Sequence, residues 1–158
     1  MRIVDNALDL KILSYLGRQA RMTWADLAGQ LGLSPPAVAD RVRKLEEADV
    51  IQGYVTQIDA TQLGYDLTAF IALTLEHPRY RDDFLAAVYT TPTIQECHHV
   101  TGEGDYLLKV RTRGTRGLER LITDQLKELP GVAQTRTTIV LSTVKETIVP
   151  PMPIAENG

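Results

Sequence analysis

Cysteine is almost absent from this chain of 158 residues, because Cys97 is the only one and a single thiol cannot form an internal disulfide. A long apolar run is also missing. The longest stretch without a charged side chain, residues 27–39, holds two prolines and is shorter than the ~20 apolar residues of a membrane span. The first residues have no apolar segment of a secretory signal. We therefore expect a cytoplasmic protein without a membrane anchor.

A basic excess is missing as well, since 17 Lys and Arg residues face 20 Asp and Glu residues and the net charge is −3. Proteins that bind nucleic acids usually carry net positive charge, so the total argues against that function. The distribution is uneven, however. Residues 34–44 contain Arg41, Arg43 and Lys44 but a single acidic residue, Asp40. Because salt screens charges beyond about 8 Å, a nearby phosphate responds to this local basic segment.

The first third of the chain has the pattern of short helices separated by turn residues. Thr23 precedes one helix with Asp26 three residues later, the spacing of a capping box in which Asp replaces the usual Glu or Gln. Gly32 is predicted to end this helix, and Ser34 to begin the next with Pro35 at its first position. Two short helices joined by a tight turn with glycine indicate a helix-turn-helix, a motif that binds DNA.

The helix after Ser34 is predicted to bury a stripe with the spacing i, i+4 and i+7, formed by Val38, Val42 and Leu45. At 100° per residue Arg43 then points away from the stripe, and Arg41 lies at its edge. Small exposed residues followed by cations are typical of a recognition helix, which places its start against bases and its cations against phosphates. The predicted DNA-binding residues are Thr23, Ser34, Pro35, Pro36, Ala37, Ala39, Arg41, Arg43 and Lys44. Periodicity alone leaves a three-helix bundle with a solvated charged face as the alternative.

After residue 50 the pattern changes to alternating strands and helices. Residues 51–58 are predicted as a short strand, a wing or hinge, and residues 59–66 as a linker. The elements that follow are a strand at 67–75, a helix that ends before Pro92, strands at 94–101 and 105–112, a helix with apolar residues over 118–129, and a strand from 132 to about 147. This βαββαβ order is that of a ferredoxin-like domain.

The predicted fold class is therefore α+β. A winged helix-turn-helix occupies residues 1–58, a ferredoxin-like domain follows at 67–147, and residues 148–158, rich in proline, are expected to form a disordered tail. In such a domain both helices cover one face of the sheet. The strand at 67–75 is apolar on both faces, so we expect a second copy of the chain to cover the open face and form a dimer.

Eight short segments of the sequence can be compared together with known families: 9–13, 31–35, 41–46, 51–54, 94–98, 101–103, 105–108 and 129–132. Their order and spacing resemble the Lrp/AsnC family, the feast/famine transcriptional regulators of bacteria and archaea. The resemblance covers roughly residues 5–146. It implies binding of double-stranded DNA through the helix-turn-helix and sensing of a small molecule, often an amino acid, by the second domain. It also implies a homodimer that assembles to an octamer around which DNA bends.

The family's effector site lies where dimers meet, and the resemblance places it at Thr101, Gly102, Glu103, Gly104, Asp105, Tyr106, Thr135 and Thr137. Glu103 or Asp105 is expected to pair with the ammonium group of an amino acid, while threonine hydroxyls and glycine N–H groups meet its other end. The family usually has an aromatic residue where this chain has Gly104, which predicts a looser loop and a wider site. The alternative is a tight hairpin whose glycines merely supply positive φ.

Cys97, His98 and His99 are residues of metal-binding type, but neighbours on a strand point to opposite faces, so no metal site is expected. No cofactor is predicted. The sequence has no phosphate-binding glycine loop and no nucleophile paired with a base, so the chain is not expected to be an enzyme.

We interpret the chain as a transcriptional regulator that responds to a small molecule, an amino acid, and controls genes of amino-acid metabolism or transport. Two alternatives remain open. One is an architectural DNA-binding protein without an effector. The other is an enzyme like the sirohaem decarboxylases, which resemble this family in fold and use histidines.

Overall fold

The structure is a computed structural model that describes residue 4 and residues 6–152. The chain divides into two compact units, one formed by residues up to Gln57 with the segment from Lys145 onward, the other by Ile58–Val144. Residues 59–66, predicted as a linker, thus belong to the second unit. The segment from Lys145, predicted as the end of a strand and a tail, belongs to the first.

The first unit consists of three helices, α1 (Ala7–Arg18), α2 (Trp24–Leu31) and α3 (Pro35–Glu47). Thr23 Oγ1 accepts a hydrogen bond from the backbone N–H of Asp26 at 3.1 Å and donates to its carboxylate at 2.6 Å. Asp26 is too short to reach back to the backbone as Glu does in a capping box, so it closes the cap through the hydroxyl. The three helices share one core, formed by Ile12, Leu16, Leu27, Ala28, Val38, Val42 and Leu45.

The turn between α2 and α3 is short because each residue in it satisfies a helix end. Gly32 has φ 66°, the left-handed conformation that ends α2. Ser34 Oγ accepts a hydrogen bond from the backbone N–H of Ala37 at 3.4 Å, and Pro35 occupies the first position of α3. The predicted helix-turn-helix is confirmed.

Residues 51–58 do not form the predicted strand. The Tyr54 hydroxyl donates to the Glu46 carboxylate at 2.8 Å, and burial together with this bond raises the pKa of Tyr54 to about 12. Beyond Tyr54 the side chains of Val55 and Ile58 are 66% and 63% exposed. A strand needs a neighbour for its backbone hydrogen bonds, and the part of the chain that the structure describes supplies none here.

The second unit contains β1 (Leu67–Leu75), α4 (Arg81–Thr90), β2 (Ile94–His99), β3 (Tyr106–Thr112), α5 (Gly114–Arg120) and β4 (Val132–Ile139). A π-helical segment, Leu121–Leu126, continues α5. The strands form one antiparallel sheet in the order β2-β3-β1-β4. This arrangement confirms the predicted ferredoxin-like βαββαβ domain.

The helices cover one face of this sheet. The core between them and the sheet is formed by Ala69, Ile71, Leu73, Phe84, Tyr106, Leu108, Val110, Leu118, Leu121 and Leu126. The alternate residues of the central strands point to the other face, where Phe70, Ala72 and Leu107 are half-buried in the single chain. We call this second surface the open face.

Strand β4 ends earlier than predicted, at Ile139 instead of about residue 147. Its last contacts are the pairing of Ile139 with Ala69 and a hydrogen bond from the Val140 N–H to the Thr68 carbonyl at 2.9 Å. Strand β1 begins at Leu67, so among the described residues the sheet offers no further partner to the chain beyond Val140. The apolar pattern of residues 141–147 was therefore misleading.

The described part of the predicted tail packs on the first unit. A Cβ atom added to Gly17 in α1 would lie 2.9 Å from a methyl group of Val149 and 3.9 Å from the terminal methyl group of Met152. Residues 149 and 152 thus lie against α1, while residues 153–158 lie outside the described residues. None of the helices within the described ranges is both long and apolar enough to traverse a bilayer.

Candidate functional site

The exposed face of α3 begins with small residues, as the angular analysis predicts. Ser34, Pro35, Pro36 and Ala37 are exposed and Ala39 is half-buried, while Val38, Val42 and Leu45 are buried. Thr23 is exposed at the start of α2. Small side chains at the start of a helix let its backbone approach a groove closely, which suits the reading of base edges.

The cations of α3 are all paired with carboxylates. Arg43 contacts Asp40 at 2.5 Å and Glu47 at 2.7 Å, and Lys44 contacts Asp40 at 2.8 Å. The bonds from Lys44 and Arg43 lower the pKa of Asp40, which keeps this carboxylate charged. Because α3 also carries Glu46, its three cations face three acidic residues. The basic segment predicted from residues 34–44 is therefore neutralised within the helix.

Arg41 differs from the other two cations. Its guanidinium contacts the Asp9 carboxylate of α1 at 2.7 Å, and the two side chains are 34% and 21% exposed. This partly buried pair connects α1 to α3, so Arg41 supports the fold of the unit. Arg43 and Lys44 are 56% and 66% exposed. Exposed pairs of this kind contribute little to stability because water and salt screen them, so a phosphate can replace their carboxylates.

The loop between β2 and β3, residues 101–105, is tied to the end of β1. The backbone N–H of Asp105 donates to the Leu73 carbonyl at 2.9 Å, and the Asp105 carboxylate accepts from the Leu75 N–H at 2.8 Å. Asp105 is therefore occupied as a structural cap. Pairing of Asp105 with the ammonium group of an effector remains a prediction, and in the single chain its carboxylate binds the Leu75 N–H.

Gly104 does not loosen this loop, contrary to prediction. It has φ 102°, and a Cβ atom there would lie 3.2 Å from the Leu73 carbonyl oxygen and 3.6 Å from the Ala72 Cβ. The absence of a side chain lets the loop lie directly on β1. The predicted wider site remains a prediction.

Glu103 of this loop pairs with Arg136 of β4, a residue that the sequence analysis missed. Both side chains are exposed, at 83% and 70%. Arg136 pairs in register with Ala72 and so points to the open face, where the loop lies. Its position between Thr135 and Thr137 could have indicated it, since successive side chains on a strand point to opposite faces of the sheet.

The structure does not bring the remaining predicted effector residues together. Thr135 and Thr137 pair in register with Leu73 and Ile71, which face the helices, so these threonines point away from the open face. Thr101 and Gly102 are exposed in the loop. In one copy of the chain the predicted site is thus divided between the two faces of the sheet.

Tyr106, also predicted at the effector site, belongs to the core. Its side chain is 4% exposed, and its ring lies 4.7 Å from that of Phe84 and 5.2 Å from that of His99. Its hydroxyl accepts a hydrogen bond from Arg81 Nε at 3.2 Å. Tyr106 therefore holds the start of β3 in place and offers no free surface to a ligand.

Cys97, His98 and His99 diverge as their alternation on β2 predicts. Cys97 and His99 pair with Leu108 and Tyr106 on the helix side, whereas His98 contacts the Glu96 carboxylate at 3.1 Å on the open face. His98 and then Lys109 lower the pKa of Glu96. Burial raises the pKa of the Cys97 thiol. Within the described ranges no group of three or more such side chains could hold a metal ion.

Comparison with known proteins decides the family. A winged helix-turn-helix DNA-binding model matches residues 5–52, and the Lrp/AsnC ligand binding domain model matches residues 68–150. The chain belongs to the Lrp/AsnC family. It is 38% identical to the leucine-responsive regulatory protein of Haemophilus influenzae over 144 residues, which cover 90% of this chain and 87% of that protein.

Solved structures of this family share the whole fold. A transcriptional regulator from Neisseria meningitidis in complex with L-Met superposes with a TM-score of 0.89 at 29% identity, covering 92% of this chain and 96% of that one. The feast or famine regulatory protein from M. tuberculosis, complexed with L-methionine, gives 0.87 at 34% identity and covers 95% and 100%. This Lrp/AsnC protein is a ligand-responsive, DNA-binding transcription regulator, and the architectural and enzymatic alternatives are not favoured.

Proposed function

We propose that the effector of this regulator is an amino acid, which binds beside the loop 101–105 and changes the transcription of genes for amino-acid metabolism or transport. The observation that carries the proposal is the exposed pair of Glu103 and Arg136. A free amino acid has an ammonium and a carboxylate group, and it can replace this pair by binding the first to Glu103 and the second to Arg136. Arginine suits a carboxylate because it binds both oxygens at once. Two relatives of known structure are complexes with methionine.

The other predicted effector residues have supporting roles in this proposal. Thr101, Gly102 and Gly104 offer polar groups of the loop, while Asp105 and Tyr106 fix its shape through their bonds to β1 and Arg81. Thr135 and Thr137 face the helix side in one copy of the chain, and in this proposal the threonines that meet the effector belong to a neighbouring subunit. The site is then complete only in an assembly, which we propose to be a homodimer that associates further to an octamer.

On DNA, we propose that α3 enters the major groove. Thr23, Ser34, Pro35, Pro36, Ala37 and Ala39 lie on the side that approaches the bases, and Arg43 and Lys44 exchange their carboxylates for phosphates. Arg41 remains with Asp9. The regulator acts where the DNA is, in the cytoplasm, and has no catalytic activity. The proposed DNA-binding domain extends to about residue 58.

A screen of the twenty amino acids tests the effector proposal. DNA affinity and particle size are measured with each amino acid on the wild-type protein and on Glu103→Gln and Arg136→Gln. One or a few amino acids should change DNA affinity by a coupling of ~1–3 kcal/mol. Both variants should lose that response and keep the affinity measured without effector, since neither residue belongs to the DNA-binding unit.

The matched control is Lys127→Gln, which removes one exposed cation from the same unit but not from the loop. It should respond as the wild type does. A wild-type protein whose DNA affinity and size no amino acid alters would contradict the proposal and support a regulator with a different class of ligand.

A further inference from the structure

The DNA-binding unit has little net attraction for a polyanion. Residues 1–58 contain seven basic and seven acidic side chains, and the cations of α3 are paired with Asp9, Asp40 and Glu47. Binding of DNA draws most of its non-specific affinity from cations that displace counterions from phosphates. Unpaired cations elsewhere in the molecule are therefore candidates for additional phosphate contacts.

A cluster of basic residues lies in the second unit. Residues 109–120 contain five basic residues and one acidic residue, Glu119, and one of the five, Lys109, is paired with Glu96. Arg116 and Arg120 have the spacing i and i+4 that places side chains on one face of α5, and Arg113 precedes the helix as its N-cap residue. We call this surface the α5 arginine face, and it consists of Arg113, Arg116 and Arg120. All three are exposed, whereas Leu118 and Leu121 hold the opposite side of the helix in the core.

These arginines differ from those of α3 in lacking carboxylate partners. The Arg113 guanidinium donates to the Leu63 carbonyl at 3.4 Å and lies 5.2 Å from the centre of the Tyr65 ring. Arg120 Nε donates to the Arg116 carbonyl at 3.4 Å. Among residue 4 and residues 6–152, none of the three forms an ion pair. Like charges one turn apart repel each other, and an anion on this face would relieve that repulsion.

The α5 arginine face also lies where the chain arrives from the DNA-binding unit. Residues 59–66 form the start of the second unit, and they reach α5 through two contacts. Leu63 and Tyr65 hold Arg113, and the Asp66 carboxylate accepts a hydrogen bond from the Gly114 N–H at 2.8 Å. The arginines are thus fixed at the end of the domain that is covalently closest to the DNA-binding unit.

We propose that the α5 arginine face binds backbone phosphates of duplex DNA that flanks the site held by α3. Arginine suits phosphate oxygens because its guanidinium donates in a planar fork. The contact carries no base recognition, so it adds affinity to any sequence beside the site and steepens the dependence of binding on salt. It goes beyond the helix-turn-helix contacts and gives the effector domain a direct role on DNA.

The test compares the salt dependence of DNA affinity for full-length variants on a duplex with long flanks. Each phosphate contact contributes about 0.9 to the slope of log K against log salt. Arg116→Gln with Arg120→Gln should therefore reduce that slope by roughly 2 for each copy of the chain whose α5 arginine face contacts the DNA, and weaken binding most at low salt. Arg116→Lys with Arg120→Lys retains the charge and should retain the slope. Arg79→Gln with Lys127→Gln removes the same charge from other exposed positions of the unit and serves as the control.

A second duplex separates this proposal from DNA binding by α3. On DNA trimmed to two half-sites, roughly 20 base pairs, the glutamine pair at 116 and 120 should bind as tightly as wild type. Arg43→Gln should weaken binding to both duplexes. An unchanged slope on the long duplex, or a slope that falls equally in the Arg79 and Lys127 control, would overturn the α5 arginine face and leave the role of α3 intact. If the glutamine pair at 116 and 120 also lost affinity for the trimmed duplex, the proposal that the α5 arginine face binds flanking DNA would be overturned.

Discussion

Gly104 shows how a single side chain decides the shape of the effector loop. Its φ of 102° is unfavourable for other residues, and an added Cβ would approach the Leu73 carbonyl oxygen to 3.2 Å. Gly104→Ala should therefore lower the free energy of unfolding by about 1–3 kcal/mol, the usual cost of such a conformation. Urea denaturation followed by circular dichroism measures it.

Gly29 provides the control for this substitution. It lies within α2, has no positive φ, and an added Cβ would meet nothing within 4 Å. Gly29→Ala should raise the free energy of unfolding by about 0.4–1 kcal/mol, because alanine restricts the unfolded chain at no cost to the helix. If both variants were equally stable, the inference that the loop lies in close contact with β1 at Gly104 would be contradicted.

Cys97 is expected to react slowly in the folded protein. Burial raises the pKa of its thiol, so at any pH near neutrality a smaller fraction is thiolate, the form that attacks alkylating reagents. The rate of modification by iodoacetamide, followed by mass spectrometry at pH 7–9, should be lower in the folded protein than in denaturant. It should also continue to rise at higher pH than it does for the unfolded chain. Equal rates in the two states would contradict a thiol that faces the core.

The partners of single side chains could not be predicted from the sequence. The angular position of Arg41 at the edge of the buried stripe was foreseen, but its partner Asp9 lies 32 residues earlier on another helix. Periodicity assigns a residue to a side of its own helix and does not say what packs there. For the same reason Arg136 was missed, since its pair with Glu103 depends on how the loop folds over β1.

At the scale of elements, α3 pairs two of its cations with its own carboxylates. Asp40 contacts both Arg43 and Lys44. Asp40→Asn should release Lys44, leave Arg43 paired with Glu47 alone, and remove one negative charge from the surface that meets DNA. DNA affinity should therefore rise and its salt dependence should become steeper. The cost in stability should be small because the pairs are exposed. Fluorescence anisotropy with labelled duplex at several salt concentrations measures the effect.

Asp49→Asn is the matched control for this change. Asp49 is exposed just beyond α3 with φ 54°, a conformation that asparagine tolerates, so the variant removes the same charge without releasing a cation of α3. Its effect on affinity should be clearly smaller. If the two variants gained DNA affinity equally, the net charge of the unit would determine the affinity, and the ion pairs within α3 would have no effect on it.

Strands that have hydrogen-bonding neighbours along their whole length were predictable from the sequence. Segments whose neighbouring strand stops short of them were not. Strand β1 was predicted with its observed bounds because both its neighbours, β3 and β4, belong to the same sheet. The segment 51–58 and the chain after Ile139 have the composition of strands, yet none of the strands in the described part of the chain lies beside them. Apolar alternation indicates a potential strand, and hydrogen-bonding neighbours decide whether it forms.

At the scale of the whole molecule, the open face is the part of the sheet that one chain cannot complete. Phe70, Ala72 and Leu107 form its apolar centre, and the Glu96–Lys109 pair lies beside them at 3.1 Å. A surface of this composition is more stable when a second apolar surface covers it. We expect the homodimer to form here.

Phe70→Asp tests this expectation in the full chain. A carboxylate at the centre of a dry interface would be buried without a partner from the second copy, so the dimer and any larger assembly should dissociate to monomers at micromolar concentration. The monomer should keep its fold, because Phe70 does not contribute to the core on the helix side. Tyr89→Asp is the control, since Tyr89 is 87% exposed and lies on α4, a helix on the other side of the sheet. Light scattering with circular dichroism should show a folded monomer for the first variant and wild-type size for the second. A Phe70→Asp protein of wild-type size would exclude the open face as the dimer interface. The exposed segments 51–58 and 141–148 would then be the next candidates for that interface.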